Sequence, residues 1–342
     1  MGFILDQAFG RPTPYTPVWL MRQAGRYMPE YRKIREKHSF LDMCFKAEVA
    51  CEVTMQPIDA FGLDAAILFN DILPPLMPMG LDLTFEEKKG PVIHNPVRLP
   101  EDVNRIKICK AKKDFEYAYE AVSMIRKRLD ANKDLIGFAG APFTLASYCI
   151  EGGSSKEYRH IKKFMWQHPE AFHELMKMLT VVTREYLQQQ VRAGADLVQL
   201  FDSWGGVLSR EDYIRFAKPY NDEIVRYLKT ETKAAVILFV KGADGYFDVV
   251  ADCQADVMGC GWQLPLDTAA RLCGNSKTLQ GNFDPAALFA PKEIITHKVK
   301  EILASAKNVR GHIFNLGHGI MTETPVDHVR HLVDTVQKLS LR

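Results

Sequence analysis

Short apolar or β-branched runs alternate along the chain with longer segments of helical periodicity. The runs cover 18–21, 65–69, 135–138, 197–201, 236–240, 256–259, 278–281 and 312–316. Runs of this length, bounded by polar or glycine residues, predict buried strands, and the segments between them predict helices with one apolar stripe. Strands and helices that alternate in this way predict right-handed βαβ units and therefore a parallel sheet.

Eight strand-and-helix repeats are the number that closes a (β/α)8 TIM barrel, so the predicted fold class is α/β. The length of 342 residues suits one barrel, and no Pro/Gly/Ser-rich linker or charge block divides the chain. We therefore predict a single barrel domain over 1–342. An open doubly wound sheet is the alternative, which is disfavoured because no predicted strand leads into G-x-G-x-x-G.

Prolines mark the start of several predicted helices. Pro169, Pro285 and Pro325 each stand where an apolar stripe begins, and Asp284 and Thr324 precede two of them as predicted caps. The spacing of apolar residues predicts helices over 172–186 and 326–336.

Polar residues or glycines follow each predicted strand, and in a barrel these positions converge on the carboxyl-end mouth, where active sites lie. They include Arg22, Asn70-Asp71, Gly140, Asp202-Ser203, Lys241-Gly242, Asn282 and Gly317-His318. Two long excursions, over 22–62 and 72–98, are predicted to form walls around this mouth.

Composition excludes several classes of function. The net charge of +2 provides no broad basic field, so nucleic acid is not the expected partner. No apolar stretch reaches the ~20 residues of a membrane span, and the first residues lack a signal-peptide pattern. The seven cysteines are odd in number and form no C-x-x-C pair, which predicts neither a disulfide framework nor a metal site. The expected location is the cytoplasm.

The densest group of potential ligand-binding residues is the segment MRQAGRYMPEYRKIR, which contains Arg22, Arg26, Arg32 and Arg35. Guanidinium groups bind carboxylates or phosphates in two-point fashion. A solvated basic face is the alternative interpretation. Gly25 lies between two of the arginines, which favours a turn that holds their side chains over a pocket.

Four other side chains at predicted strand ends or turns could contact a ligand. Asp71 follows a buried strand and could bind cationic or N–H-rich groups, although a turn cap is an equal alternative. A lone histidine is more often structural, but His318 stands between two glycines, which indicates close approach to a ligand. Ser203 lacks the G-x-S-x-G elbow, so hydrogen bonding is favoured over nucleophilic attack. Tyr148 could be either a packed aromatic or a ligand contact.

Longer blocks around these residues resemble the uroporphyrinogen decarboxylase family. They are PVWLMRQAGRYMPEYR, LFNDIL, GFAGAPFTLASYCIEGG, QLFDSWGG, TLQGNFDP and FNLGHGI, in the family's order and essentially end to end. The resemblance implies a single (β/α)8 barrel that forms a homodimer. It also implies decarboxylation of the four acetates of uroporphyrinogen III to methyl groups, giving coproporphyrinogen III and CO2 in haem biosynthesis. It implies no cofactor and no metal, because the protonated pyrrole ring accepts the electrons released.

The resemblance also implies roles for individual positions. The substrate-binding residues would be Arg22, Gln23, Ala24, Gly25, Arg26, Arg35, Asp71, Tyr148, Phe201, Ser203 and His318. Of these, Asp71, Arg22 and His318 would be catalytic. Asp71 would stabilise positive charge on the ring, and the proton would come from Arg22, His318 or a bound water. The sequence departs from the family's pattern at Ser154, Gly261 and Met321-Thr322.

Two alternative functions stay open. Related barrels are zinc-dependent methyltransferases with a His-x-Cys ligand set near the last strands, whereas His318 is followed here by Gly319 and Ile320. The other alternative is a tetrapyrrole carrier that keeps the pocket without turnover.

Overall fold

The strands of the chain are short and mostly buried. The computed structural model describes residues 2–86 and 89–342, so Glu87 and Lys88, within the predicted excursion 72–98, lie outside the described residues. The strands are β1 Ala65–Ile67, β2 Leu83–Glu86, β3 Gly90–Ile93, β4 Asp134–Gly140, β5 Leu197–Asp202, β6 Ala235–Val240, β7 Val257–Gly259, β8 Thr278–Phe283 and β9 His312–Leu316.

Seven of these strands form one parallel sheet in the order β1-β4-β5-β6-β7-β8-β9. Each strand pairs with the next across the whole sheet. At one edge Ala65 of β1 lies opposite Asp134 of β4, and at the other edge Phe283 of β8 lies opposite Leu316 of β9. The predicted α/β class and seven of the predicted strands are therefore confirmed. The largest difference in length is in β4, which covers Asp134–Gly140 although the predicted run covers 135–138. Strand β1 ends at Ile67 although the apolar run continues to Phe69.

The predicted strand over 18–21 is wrong as a strand, but its first residues lie against both edges of the sheet. Val18 makes an isolated parallel bridge to Phe314 of β9. The Phe314 N–H donates to the Pro17 carbonyl at 2.9 Å, and the Trp19 N–H donates to the Phe314 carbonyl at 3.3 Å. On the other side, the Asp64 N–H, just before β1, donates to the Val18 carbonyl at 2.9 Å.

A turn directly after this bridge explains why the strand stops. The Gln23 N–H donates to the Leu20 carbonyl at 2.9 Å, and Arg22 adopts a φ of 59°, in the left-handed region. Neither feature fits an extended strand. Backbone pairing with β9 ends at Trp19, and the chain leaves the sheet at the turn that begins at Leu20.

Helices connect the strands and cover the outer face of the sheet. They are α1 Phe3–Ala8, α2 Pro29–Arg35, α3 Phe40–Phe45, α4 Ala47–Phe61, α5 Ala111–Asp114, α6 Glu116–Arg128, α7 Pro142–Glu151, α8 Arg159–Gln167, α9 Pro169–Ala193, α10 Arg210–Phe216, α11 Lys218–Glu231, α12 Phe247–Ala251, α13 Leu266–Leu272, α14 Lys292–Ser305 and α15 Val326–Leu339. Short 3-10 helices cover Pro74–Leu76, Pro100–Arg105, Gly205–Val207, Asp244–Tyr246 and Pro285–Phe289.

The predicted helix starts have mixed outcomes. Pro169 occupies the first turn of α9, as predicted. Asp284 does cap a helix, since its side chain accepts a hydrogen bond from the Ala286 N–H, but that helix is a 3-10 turn. The prediction for Thr324 is wrong: Pro325 is the residue before α15, and the Thr324 hydroxyl makes no hydrogen bond within the described chain.

A separate apolar cluster lies on the concave face of the curled sheet. Trp19, Ile136, Leu197 and Phe239 are fully buried there, and α1 packs against the same cluster. The second cluster, between sheet and helices, is larger and includes the buried stripe of α9. With the concave face filled by side chains, space for a ligand is left at one end of the sheet.

The two predicted excursions are confirmed as additions around the carboxyl ends of the strands. The first contains α2 to α4, and the second contains the antiparallel pair β2 and β3. Val92 of β3 makes an antiparallel bridge to Gly153, after α7. Within residues 2–86 and 89–342, no helix is both long and apolar enough to cross a membrane.

Candidate active site

A cavity of about 520 Å³ opens at the carboxyl ends of the strands. Its walls come from residues that follow β1, β5, β6 and β9, from the arginine segment after Val18, and from the excursions through Tyr31, Phe40 and Pro91. The cavity contains all but one of the ligand-binding residues that the resemblance implies. Those lining it are Arg22, Gln23, Ala24, Gly25, Arg26, Asp71, Tyr148, Phe201, Ser203 and His318.

Arg35 is the one implied substrate-binding residue that does not line the cavity. It lies in the last turn of α2, and its Nη1 donates to the His38 carbonyl at 2.8 Å. The Arg32 side chain also bonds to backbone carbonyls rather than to the cavity. Its Nη1 donates to the carbonyls of Arg26 and Tyr27 at 2.8 and 3.0 Å. Arg32 therefore holds the loop that carries Arg22 and Arg26, whereas Arg35 bonds to the chain after α2.

The predicted turn around Gly25 is confirmed, and Gln23 fixes it to the sheet. The Gln23 Oε1 accepts from the Leu20 N–H, and its Nε2 donates to the Ala65 carbonyl of β1, both at 3.1 Å. The Tyr27 hydroxyl donates to the Gln23 carbonyl at 2.6 Å. Both polar atoms of the buried Gln23 side chain are thus used to anchor the turn rather than to contact a ligand.

Arg22 passes over a glycine of the last loop. A Cβ atom at position 319 would lie 2.4 Å from the Arg22 Cδ, so only glycine leaves room for this path of the side chain. The close approach that the glycines around His318 predicted is therefore between protein atoms. Its effect is to place a guanidinium group and an imidazole on the same wall of the cavity.

Asp71 caps a turn, which is one of the two roles that the sequence left open, and it also lines the cavity. Its Oδ1 accepts from the Leu73 N–H at 2.9 Å, which caps the turn before a 3-10 helix. Burial raises the pKa of the Asp71 carboxyl, whereas the Leu73 N–H and the positive charge of Arg22 lower it. The carboxyl group therefore attracts positive charge or a proton from a ligand.

His318 is a neutral group in this site. Burial is the main cause that lowers its pKa to about 3, and the positive charges of Lys241 and Arg22 lower it further. At neutral pH its imidazole can donate one hydrogen bond and accept another.

Aromatic side chains form the wall beside β5. The Tyr148 ring stacks on Trp204 with 4.0 Å between centroids, and Phe201 meets Phe138 edge-on at 5.7 Å. Burial, and then the charge of Asp71, raise the pKa of Tyr148 to about 12, while a hydrogen bond with Ser154 lowers it. Tyr148 is therefore a neutral phenol next to a flat apolar surface.

Several lining residues were not predicted as ligand contacts. They are Tyr27, Tyr31, Phe40, Phe69, Asn70, Ser154, Trp204 and Lys241. Lys241 had the clearest signal, because it directly follows a predicted strand. The aromatic residues had none, since their contact with the cavity depends on how the excursions fold back.

The charges that line the cavity are unequal. Within the described chain, Asp71 is the only acidic residue of the lining, whereas Arg22, Arg26 and Lys241 are cationic. None of these three cations has a carboxylate within salt-bridge distance in that part of the chain. Such a cavity favours a ligand that carries anions at its edge and N–H groups or positive charge opposite Asp71.

Metal-binding side chains are sparse in the lining. It offers one imidazole and one carboxylate, and residues 2–86 and 89–342 contain no group of three or more His, Cys, Asp or Glu placed to hold an ion.

Fold and cavity together define an α/β protein of the barrel-related class, with a cavity whose charged residues are mainly cationic at the carboxyl ends of its parallel strands. The family description "Uroporphyrinogen decarboxylase (URO-D)" matches residues 3–339, and the chain belongs to this family. The chain is 52% identical to the uroporphyrinogen decarboxylase of Carboxydothermus hydrogenoformans, over 96% of this chain and 93% of that protein. It is 47% identical to the Geobacter metallireducens protein of the same name, over 98% of both.

Solved structures support the fold. A methyltransferase from Methanosarcina mazei superposes with a TM-score of 0.82 at 17% identity, over 98% of this chain and 97% of that one. A B12-independent methionine synthase from Shewanella superposes with a TM-score of 0.58 at 9% identity, over 86% and 88% of the two chains. At these identities the similarity is one of fold alone.

Proposed function

We propose that this cavity binds uroporphyrinogen III and is where its four acetate side chains become methyl groups, giving coproporphyrinogen III and CO2. Family membership over 3–339 and relatives near 50% identity support this activity, a decarboxylation in haem biosynthesis. The observation that carries the assignment to this cavity is its charge pattern: among the charged residues of the described lining, Asp71 is the one carboxylate, and Arg22, Arg26 and Lys241 are cations.

The substrate has the complementary pattern. Uroporphyrinogen carries carboxylates around its edge and pyrrole N–H groups at its centre. Arg22 and Arg26 suit the carboxylates, because guanidinium groups bind them through two parallel hydrogen bonds. Asp71 suits the N–H groups, and the stacked pair Tyr148 and Trp204 offers a surface for a pyrrole ring.

The reaction needs a proton and a place for an electron pair. Protonation of the pyrrole makes the ring cationic, so the ring can accept the electrons of the C–CO2 bond as that bond breaks. Loss of CO2 leaves an exocyclic methylene on the ring, a second proton converts this methylene to the methyl group, and the ring then releases the first proton, so that each acetate exchanges CO2 for one net proton. Asp71 stabilises the cationic ring, which is electrostatic stabilisation by a preorganised group. This route uses no metal and no cofactor.

The low pKa of His318, about 3, bears on the source of the proton. A neutral imidazole is a poor acid at neutral pH, so we infer that His318 hydrogen-bonds the substrate. Arg22 is also a poor acid, since guanidinium groups stay protonated in proteins. A water molecule held between these groups is the proton donor that this proposal favours.

We further propose that residues 17–19 complete the sheet as its eighth element, so that 1–342 is one domain with a closed (β/α)8 barrel. The bonds of this segment to Phe314 and to Asp64 support closure. A homodimer in the cytoplasm is part of the same proposal. Trp262 and Met321, near the mouth and 39% and 43% exposed, are apolar enough for a subunit interface.

Anaerobic incubation with uroporphyrinogen III, followed by chromatographic counting of product carboxylates, tests the activity. Intermediates and a final product with four carboxylates are expected. A tetrapyrrole carrier would bind without turnover, and a methyltransferase would leave the acetates intact. Sedimentation velocity tests the dimer.

A further inference from the structure

Lys241 projects into the cavity from a fixed backbone. It directly follows β6, lines the cavity and is half-buried. Its N–H donates to the Asp202 carbonyl, and its own carbonyl accepts from the Gly206 N–H, both at 3.1 Å. Gly242, the next residue, turns the chain away with a φ of 77°. The position of the Lys241 side chain is therefore set by the sheet rather than by a mobile loop.

The Lys241 ammonium has no counter-ion of its own in the described part of the chain. Other half-buried lysines have one: Lys229 contacts Asp256 and Lys218 contacts Asp222, both at 2.7 Å. The carboxylate of Asp202, the residue paired with the Lys241 backbone, is already used. It accepts from the Thr144 hydroxyl at 2.7 Å and from the Asn221 Nδ2 at 3.1 Å.

Lys241 also shares its wall of the cavity with a second cation. Burial lowers its pKa, and the charge of Arg22 lowers it further. The same two cations act on His318, which lies next to them as a neutral group. Arg22 and Lys241 carry like charges on the same wall, so a bound anion would relieve the repulsion between them.

We propose that Lys241, together with Arg22, forms a subsite for a substrate carboxylate, and that this carboxylate is not the one being lost. The inference rests on the proposed function. A cation held on the departing carboxylate would stabilise negative charge that disappears as CO2 leaves, which would raise the barrier. A cation on a carboxylate that remains contributes equally to the bound substrate and to the transition state. Lys241 is therefore a binding residue that lowers KM.

Kinetics with uroporphyrinogen test this role in the variants Lys241→Met, Lys241→Arg and, as a matched control, Lys300→Met. Lys300 is exposed on α14 and does not line the cavity. Loss of one charge-assisted hydrogen bond should raise KM about 10- to 150-fold in Lys241→Met. Its kcat should stay within about twofold of wild type. Lys241→Arg should restore most of the affinity, and Lys300→Met should match wild type.

Three results would overturn the inference while uroporphyrinogen turnover by the wild type still supports the proposed function. The first is an unchanged KM in Lys241→Met. The second is a fall in kcat at unchanged KM, which would make Lys241 a participant in the chemical step. A KM defect that Lys241→Arg does not reduce would indicate a packing role and would also count against the subsite. Failure of the wild type to turn over uroporphyrinogen would instead contradict the proposed function.

Discussion

At the scale of single residues, the Asp71 carboxylate both caps a turn and places a negative charge in the cavity. One carboxylate oxygen caps the turn through the Leu73 N–H at 2.9 Å, and this bond fixes the direction of the group. The charge of the group still acts on the cavity, because it is one of the causes that raise the pKa of Tyr148. A carboxylate that is oriented before the substrate arrives has no reorganisation to undergo when the ring becomes cationic.

Asp71→Asn should therefore lower kcat far more than it weakens binding. The amide keeps the shape and one acceptor for the Leu73 N–H, but it removes the negative charge that the cationic ring requires. We expect a fall in kcat of at least 100-fold, measured with uroporphyrinogen under anaerobic conditions.

The matched variant is Asp71→Glu, which keeps the charge but displaces it by one methylene, so it should retain more activity than Asn. A near-normal kcat in a folded Asp71→Asn variant would show that Asp71 is only a turn cap.

Gly319 allows a second test at this scale. In Gly319→Ala the new methyl group would lie 2.4 Å from the Arg22 Cδ, so the arginine must leave its path across the last loop. We expect kcat/KM to fall at least tenfold, about the effect of losing one charge-assisted contact. The melting temperature should change little, because the displaced side chain is exposed to the cavity.

Gly245→Ala is the control, since nothing lies within 4 Å of its Cβ position. Wild-type kinetics in Gly319→Ala would mean that the position of Arg22 does not matter for turnover.

How far the sequence predicts the site can be judged from four residues. Asp71 and His318 could be placed because a polar residue after a buried strand must lie at the carboxyl end of a parallel sheet. Arg35 could not be excluded, because its spacing from Arg26 does not reveal that a helix turns it toward the His38 carbonyl. The position of Lys241 was predictable, but its lack of a carboxylate partner depends on contacts between distant elements.

At the scale of elements, α9 supports β4 where β1 stops early. The Gln190 side chain on α9 pairs with Phe138 of β4 through both of its polar atoms, each at 2.9 Å. It replaces the strand neighbour that β1 would provide if it continued past Ile67. Because β1 ends early, the chain can turn toward Asp71. The contact between Gln190 and Phe138 allows this, since it satisfies the backbone groups of β4 that β1 leaves unpaired.

Gln190→Leu should destabilise the protein although the volume of the side chain is nearly kept. Two buried backbone groups of Phe138 would lose their partners, at about 1–3 kcal/mol each. We expect the free energy of unfolding to fall by about 2–5 kcal/mol in urea denaturation. Gln189→Leu, one residue earlier and half-buried, should be near neutral. Equal stability of the two variants would contradict the pairing role of Gln190.

The sequence predicts strands better than their ends. Seven apolar runs became paired strands because a buried parallel sheet needs continuous apolar residues. The run at 18–21 is equally apolar, yet pairing ends at Trp19 because the anchored turn at Gln23 follows at once. That turn depends on a bond to Ala65, which is distant in sequence, so no local pattern reveals it.

At the scale of the whole molecule, Asp64 connects the segment 15–18 to the two edge strands of the sheet, β1 and β9. Its Oδ2 accepts from the Val18 N–H at 2.8 Å, and its Oδ1 accepts from the Tyr15 hydroxyl at 2.7 Å. Val18 in turn bridges to Phe314 of the last strand. One buried carboxylate therefore lies where the first segment of the chain meets β1 and, through Val18, the last strand.

Asp64→Ala should loosen this junction and lower the stability of the whole fold. Removing the carboxylate leaves the Val18 N–H without its acceptor, so we expect a loss of about 2–4 kcal/mol. Hydrogen exchange should accelerate at Val18 and Trp19 before it does in β5 and β6. Tyr15→Phe removes only the hydroxyl bond and should cost about 1 kcal/mol. Unchanged protection at Val18 in Asp64→Ala would contradict the closure that we propose.

Buried histidines should make the molecule sensitive to acid. Burial lowers the pKa of His312 to about 4, and the hydrogen bond of its ring to the Gly281 carbonyl only partly opposes this. Between the unfolded value near 6.5 and the folded value, the unfolded chain binds a proton that the folded chain does not. The free energy of unfolding should therefore fall with decreasing pH, by about 1.4 kcal/mol per pH unit for this group.

Other groups oppose this trend, so the test is a difference between variants. Burial raises the pKa of Asp134 to about 6, and a raised carboxyl pKa makes stability increase on acidification through that range. His312→Gln keeps a donor for the Gly281 carbonyl but removes the titrating ring. Between pH 7 and pH 5 it should lose about 2 kcal/mol less stability than wild type, measured by urea denaturation at both values. His297→Gln, on the exposed side of α14, should keep the wild-type dependence. An identical pH dependence in His312→Gln and wild type would show that the imidazole of His312 is protonated to the same extent in both states.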